Sequence, residues 1–185
     1  MAAANPVITV FGSSRPREGH ADYQEARALG CALAEAGLTV CSGGYGGTME
    51  AVSRGAKEAG GQTIGITAEF FGGLANRWID EEVRVASWQQ RLFALIERGA
   101  GYVACKGGTG TLVELSVVWE MLNKRVIPGK PFVVLGDFWV PILECVREVE
   151  ADTSSPWGEA ENRLLHAAST PSEVARYLAS KLLPH

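Results

Sequence analysis

Two glycine-rich turns and two charged side chains carry the chemistry open to this sequence. Lys106-Gly107-Gly108-Thr109-Gly110-Thr111-Leu112-Val113-Glu114 follows a short apolar run, Tyr102 to Cys105, and precedes an apolar-periodic run that ends near Asn123. The order is strand, glycine turn, helix. Gly107, Gly108 and Gly110 let the backbone take φ > 0 and approach a ligand closely. The first turn of the helix that follows offers unpaired N–H groups and a partial positive charge, which suits a phosphate. Glu114 falls about one turn into that helix, with the helix expected to start near Thr111. A carboxylate there either faces a substrate or balances the helix dipole as a first-turn acid. A second turn of the same kind, Ser42-Gly43-Gly44-Tyr45-Gly46-Gly47, runs into Thr48-Met49-Glu50. Two glycine-led helix starts suggest a clamp on one mononucleotide phosphate; the plainer reading is two tight turns.

Neither turn fits the better-known nucleotide fingerprints. The turn from Ser42 to Gly47 lacks GxGxxG, and no acidic ribose ligand stands near the end of a second strand, which disfavours NAD. GxxxxGK[ST] is absent as well, which disfavours a Walker-type ATP site.

The elements that must position these turns alternate regularly. Strands are expected over Pro6 to Phe11, Leu38 to Cys41, Gln62 to Thr67, Glu81 to Ala86, Gly101 to Cys105, Pro131 to Leu135 and, as a short last strand, Leu164 to Ala168. Helices are expected over Tyr23 to Ala36 with Gly37 closing it, Thr48 to Ala59, Ser87 to Arg98 with Ser87 as N-cap, Thr111 to Asn123, Val140 to Val149, and Pro171 to Leu183. Thr170 and Glu173 form a capping box before the last helix, with Pro171 at its first position. Ala68 to Asp80, with Phe70, Phe71 and Trp78, and Ala151 to Glu161 read as loops. This alternation implies right-handed βαβ units: an α/β, Rossmann-like, doubly wound parallel sheet of six to seven strands with helices on both faces. Ligands on such sheets sit at the carboxyl ends of the strands, the edge that both glycine turns occupy. With no repeat or linker, residues 1–185 are expected to form a single nucleotide-binding domain.

Composition narrows the field further. Hydrophobic residues at 46% and charged residues at 21% describe an ordinary globular chain with a real core. A net charge of −4 argues against broad nucleic-acid or membrane binding. No basic leader precedes an apolar core at the start, so a cytoplasmic location is expected. The four cysteines form no CxxC pair, and Cys41 and Cys105 read as small buried hydrophobes. His20, His166 and His185 are scattered and suggest no metal site. No cofactor is expected.

Ser42-Gly43-Gly44-Tyr45-Gly46-Gly47-Thr48-Met49, then Gly55-Ala56 and Ala59-Gly60-Gly61, resemble the first motif of the Lonely Guy (LOG) family. The stretch from Lys106 to Glu114 is similar to that family's PGGxGTxxE. Arg91 stands fifteen residues before Lys106, the family's spacing for a catalytic arginine. Phe11-Gly12-Ser13-Ser14 resembles the family's first-strand turn, and Trp119 and Lys130-Pro131 fall where the family has them. The similarity spans roughly residues 7 to 145. It implies a nucleoside-5′-monophosphate phosphoribohydrolase that releases a base, with an AMP-like or cytokinin-ribotide-like ligand and a homodimeric assembly. It assigns Arg91 and Glu114 as the catalytic pair. Gly12, Ser13, Gly43, Gly44, Gly46, Gly47, Met49, Gly107, Gly108, Thr109, Gly110 and Thr111 would line the phosphate and nucleotide site. The chemistry fits these types: cleaving an N-glycosidic bond builds positive charge on the ribose, which a carboxylate stabilises, while an arginine offers a fixed fork of donors. The chain departs from the family at Lys106, Leu92, Val113 and Glu50. A carrier of the same plan, similar to the molybdenum-cofactor carriers, is the alternative that the resemblance leaves open.

Overall fold

The computed structural model describes residues 4–151 and 164–184. β1 (Val7–Phe11) leads to α1 (Ala21–Glu35), and β2 (Thr39–Ser42) to α2 (Thr48–Glu58). β3 (Thr63–Ala68) passes through a one-turn 3-10 segment (Glu69–Phe71) to β4 (Glu81–Val85) and then α3 (Trp88–Arg98). β5 (Gly101–Ala104) leads to α4 (Thr109–Asn123), β6 (Phe132–Leu135) to α5 (Val140–Ala151), and β7 (Leu165–Ala168) to α6 (Pro171–Leu182). The seven strands form one parallel sheet in the order β4-β3-β2-β1-β5-β6-β7. The chain builds outward from β1 to one side, then returns to lay β5 on the other. The order therefore reverses between β1 and β5, and the crevice beyond that point is where such sheets take ligands.

Burial on both faces follows from period-2 alternation inside apolar strands. Ile8 and Val10 of β1, Val103 of β5, and Val133 and Leu135 of β6 pack with Leu29 and Leu33 of α1, Val52 and Ala56 of α2, and Val174 and Leu178 of α6. Their neighbours Phe11, Tyr102, Ala104, Phe132 and Val134 point the other way, onto Leu95 and Ile96 of α3, Leu115, Val118 and Trp119 of α4, and Leu143 of α5. Edge strand β4 is largely exposed and carries Glu81, Glu82 and Arg84, a charge pattern that discourages pairing with another chain. α1 and α2 meet backbone to backbone. A Cβ at Gly30 would overlap the Val52 carbonyl, and one at Gly55 the Arg27 carbonyl, so two helix-interior glycines are kept at a cost in propensity.

Every expected element is present, with ends shifted by one or two residues. Three local details differ. α4 begins at Thr109, two residues earlier than expected, because Gly108 already serves as its N-cap. The last helix has Thr170 as N-cap accepting from the Glu173 amide, but Glu173 reaches back to the Ser169 amide at 2.8 Å instead of to Thr170. The full reciprocal box occurs at α3, between Ser87 and Gln90. The loop expected over 151–161 lies beyond the described residues from position 152 onward. Among the described residues, no helix is long and apolar enough to cross a membrane.

Candidate functional site

Parallel pairing places every strand-to-helix turn on one edge, so the turns after β1, β2 and β5 share it. The first two are fused. The Thr48 amide donates to the Ser13 carbonyl at 2.8 Å. A Cβ at Gly12 would strike the Thr48 side chain, and one at Gly47 the backbone of Ser13 and Ser14. Gly47 also takes φ +72°, as does Gly44 at +75°, a region where a side chain is strained.

Arg91 fills the space beneath the turn after β2. It is 7% exposed, unusual for a charge unless it is well partnered. Nε donates to the Ile66 carbonyl at 2.8 Å and Nη2 to the Gly43 carbonyl at 3.0 Å, with Met49 Sδ at 3.6 Å. A Cβ at Gly43 would occupy the position of Nη2. Nη1 is left facing Glu114 Oε1 at 4.0 Å. The guanidinium also lies 5.4 Å from the Tyr45 ring and 5.5 Å from the Phe71 ring, within cation–π range.

Glu114 lies in the second turn of α4, and no acid occupies the first. The dipole-balancing role is thereby excluded, since that effect fades beyond the first turn. Its side chain is 17% exposed. Burial pushes its carboxyl up to about 7, the opposing pull of Arg91 being the smaller effect. Burial likewise depresses the Arg91 guanidinium, against the attraction of Glu114. Loss of water outweighs mutual attraction on both sides of this pair. The result is a carboxyl that changes charge near neutral pH.

The turn after β5 is open. Lys106, Gly108, Thr109 and Gly110 are exposed, and a Cβ at Gly108 or Gly110 would meet nothing within 4 Å. Only Gly107 is crowded, against the buried Thr111 side chain. No side chain caps α4 or α2, whereas His20, Ser87 and Thr170 cap α1, α3 and α6. The amides that begin α4 have no side-chain cap and lie at the exposed residues of this edge. Lys106 stands beside them, with Nζ 3.4 Å from Asp22 of α1. Arg15 and Arg17 are exposed, and Arg17 bonds the Ser14 carbonyl of its own loop.

The crossover from β3 to β4 is a further part of the site. Tyr45 Oη donates to the Ala68 carbonyl at 3.0 Å and accepts from the Ala68 amide at 2.9 Å. Asn76 Nδ2 donates to the Gly44 and Tyr45 carbonyls at 3.0 and 2.9 Å, and its amide donates to Gly44 at 2.7 Å. Tyr45 and Asn76 were not singled out in the sequence. The one available signal was a large aromatic inside a glycine turn; Asn76 gave none. Trp78 parts company with the two phenylalanines: it packs between Arg77 and Arg54, whose guanidinium carbons lie 4.8 and 5.5 Å from its ring. Cys41 and Cys105 are buried as expected, their thiols pushed up to about 12 by burial.

Comparison with known proteins bears on the family and the fold. Residues 5–162 match the SLOG cluster4 family. A protein of Mycobacterium marinum named cytokinin riboside 5'-monophosphate phosphoribohydrolase is 36% identical over 134 residues, covering 68% of this chain and 71% of its own. One of the same name from Rhodococcoides fascians is 29% identical over 153 residues, covering 78% and 76%. Among solved structures, the molybdenum cofactor binding protein of Rippkaea orientalis superposes with a TM-score of 0.75 at 25% identity, covering 97% of this chain and 99% of that one. The Moco carrier protein of Chlamydomonas reinhardtii, at 24% identity and a TM-score of 0.70 over 98% and 99% of the two chains, shares the fold. A sheet edge built from these two glycine turns, matched along most of the chain, makes this protein a member of the SLOG cluster4 family of LOG-like proteins.

Proposed function

We propose that the protein hydrolyses the N-glycosidic bond of a nucleoside 5′-monophosphate, giving a free base and ribose 5-phosphate. The observation that carries this reading is the placement of Glu114, a largely buried carboxyl that faces Arg91 one turn inward from an uncapped, open helix start. The α4 amides from Thr109 to Thr111 take the phosphate, with Gly108 and Gly110 leaving room for it. Glu114 then stands beside the ribose. In its ionised form it stabilises the positive charge that grows on the sugar as the bond to the base breaks, and it accepts a proton from the attacking water.

Arg91 holds Glu114 in register. Its Nε and Nη2 are committed to Ile66 and Gly43, so Nη1 is the edge available to a ribose or phosphate oxygen. The names of the two relatives support the same reaction. A homodimer is the assembly that accompanies this reading.

A second reading, a carrier that holds a nucleotide-like ligand without cleaving it, is favoured by one specific observation. Leu92 and Val113, the neighbours of Arg91 and Glu114, pack into or against the apolar core and add no charge to the pair. Incubation with a panel of nucleoside monophosphates, followed by chromatography, separates the two. Base release that falls by about 10²-fold or more in Glu114→Gln supports hydrolysis. Tight binding with no release from any member of the panel supports the carrier.

A further inference from the structure

We propose that Tyr45 is a positioning residue that acts through Arg91: its ring covers the guanidinium and fixes the direction in which Nη1 meets Glu114. The role rests on the hydrolytic reading above and adds to it a side chain that belongs to neither half of the charged pair. At 4.0 Å, Nη1 and Glu114 Oε1 are too far apart for a direct hydrogen bond, so Glu114 does not orient the guanidinium. Other groups must. Nε and Nη2 are tied to the Ile66 and Gly43 carbonyls. Those two bonds anchor one edge of the guanidinium plane and leave its tilt to whatever lies over it. Over it lie the rings of Tyr45 and Phe71, 5.4 and 5.5 Å from the guanidinium carbon, both within cation–π range.

Of these two rings, only that of Tyr45 is fastened by polar bonds. Phe71 is 48% exposed on its one-turn segment. Tyr45 is half-buried, and its Oη donates to the Ala68 carbonyl and accepts from the Ala68 amide, at 3.0 and 2.9 Å. A hydroxyl can do both at once; a phenyl ring can do neither. Gly73 bounds the same ring, since a Cβ there would press on it at 3.1 Å. Holding the crossover in place does not account for the hydroxyl. Asn76 already ties the crossover to the Gly44 and Tyr45 carbonyls through three hydrogen bonds. What Tyr45 adds is a ring locked against a buried cation. Small errors of placement are costly in such a site, where a shift of about 1 Å lowers a rate by about 10²-fold.

The test compares wild type, Tyr45→Leu and Tyr45→Phe, with thermal melts to confirm folding. Three quantities are read: kcat for base release from AMP, or from whichever monophosphate of the panel above is cleaved fastest; affinity for ribose 5-phosphate by calorimetry; and the nitrogen-15 NMR signal of the Arg91 Nε–H, assigned by its loss in Arg91→Lys. Tyr45→Leu is expected to lower kcat about tenfold while ribose 5-phosphate affinity, set by the start of α4, changes by less than about twofold. Its Arg91 Nε–H is expected to exchange with water faster than in wild type. Tyr45→Phe keeps the ring without its fastening and is expected to fall between the two in both kcat and exchange; it carries the same comparison if Tyr45→Leu does not fold. An unchanged kcat, a loss of kcat with an unmoved Arg91 signal, or equal losses in kcat and ribose 5-phosphate affinity each overturn the role while leaving the hydrolytic reading standing. A wild type that releases base from no monophosphate overturns the hydrolytic reading and the role together.

Discussion

In the turn after β2 the protein itself takes up the space beside Gly43, Gly44 and Gly47; in the turn after β5 the space beside Gly108 and Gly110 stays empty. Gly43 is kept by Arg91 and Met49, Gly44 by Thr67, and Gly47 by Ser13 and Ser14. Gly108 and Gly110 have no neighbour within 4 Å of a would-be Cβ. Identical residue types thus serve different ends. The first turn is a packed joint between three strand ends, and even its helix start is partly consumed, because the Thr48 amide is already paired with Ser13. The second leaves Gly108, Thr109 and Gly110 exposed at the start of α4. The two glycine-led helix starts expected to clamp one phosphate are therefore not equally open. One turn sets the frame that holds Arg91, and the other presents donors.

The sharpest way to break this contrast is to add a methyl group to each turn. Gly43→Ala must displace the Arg91 guanidinium, and it is expected to cost about 2–4 kcal/mol of stability along with activity. Gly108→Ala is expected to stay within about 0.5 kcal/mol in urea unfolding, with any loss confined to phosphate binding. Similar stability losses at both positions would erase the distinction.

A middle-sized effect concerns pH. Glu114 has its folded-state value raised to about 7 by burial, so between the usual carboxylate range and pH 7 the native state keeps a proton that the unfolded chain has lost. Stability from this group is full at acid pH, declines as pH rises through that window, and levels off above it. Unfolding curves from pH 5 to pH 8 are expected to show wild type losing on the order of 2–3 kcal/mol relative to Glu114→Gln across that range. A flat difference would place the carboxylate in water.

The smallest effect is expected at Lys106→Ala. Its partner Asp22 is 3.4 Å away, but the lysine side chain is about half exposed, so the melting curve is expected to move by less than about 0.5 kcal/mol. A larger loss would mean that the open turn also carries structure.

Much of the frame was legible because local rules and global fold agree. Apolar runs of four to six residues, each followed by a turn and a helix-period segment, imply a parallel sheet with two covered faces. The alternation of Ile8 and Val10 against Phe11 marks both faces within a single strand. Spacing and resemblance also singled out Arg91 and Glu114, which the fold brings within 4.0 Å of each other although they lie on different helices.

What the sequence determined by itself is the set of elements, their parallel arrangement and the shared edge of the glycine turns, since these follow from periodicity, capping and the handedness of βαβ units. Tertiary structure alone decided which glycines are filled and which are free, that α4 starts early enough to move Glu114 out of its first turn, and that Asn76 and Tyr45 fasten the aromatic loop across the site. Those outcomes depend on contacts between residues tens of positions apart, and on how much water each charge loses. Neither quantity is written in local spacing.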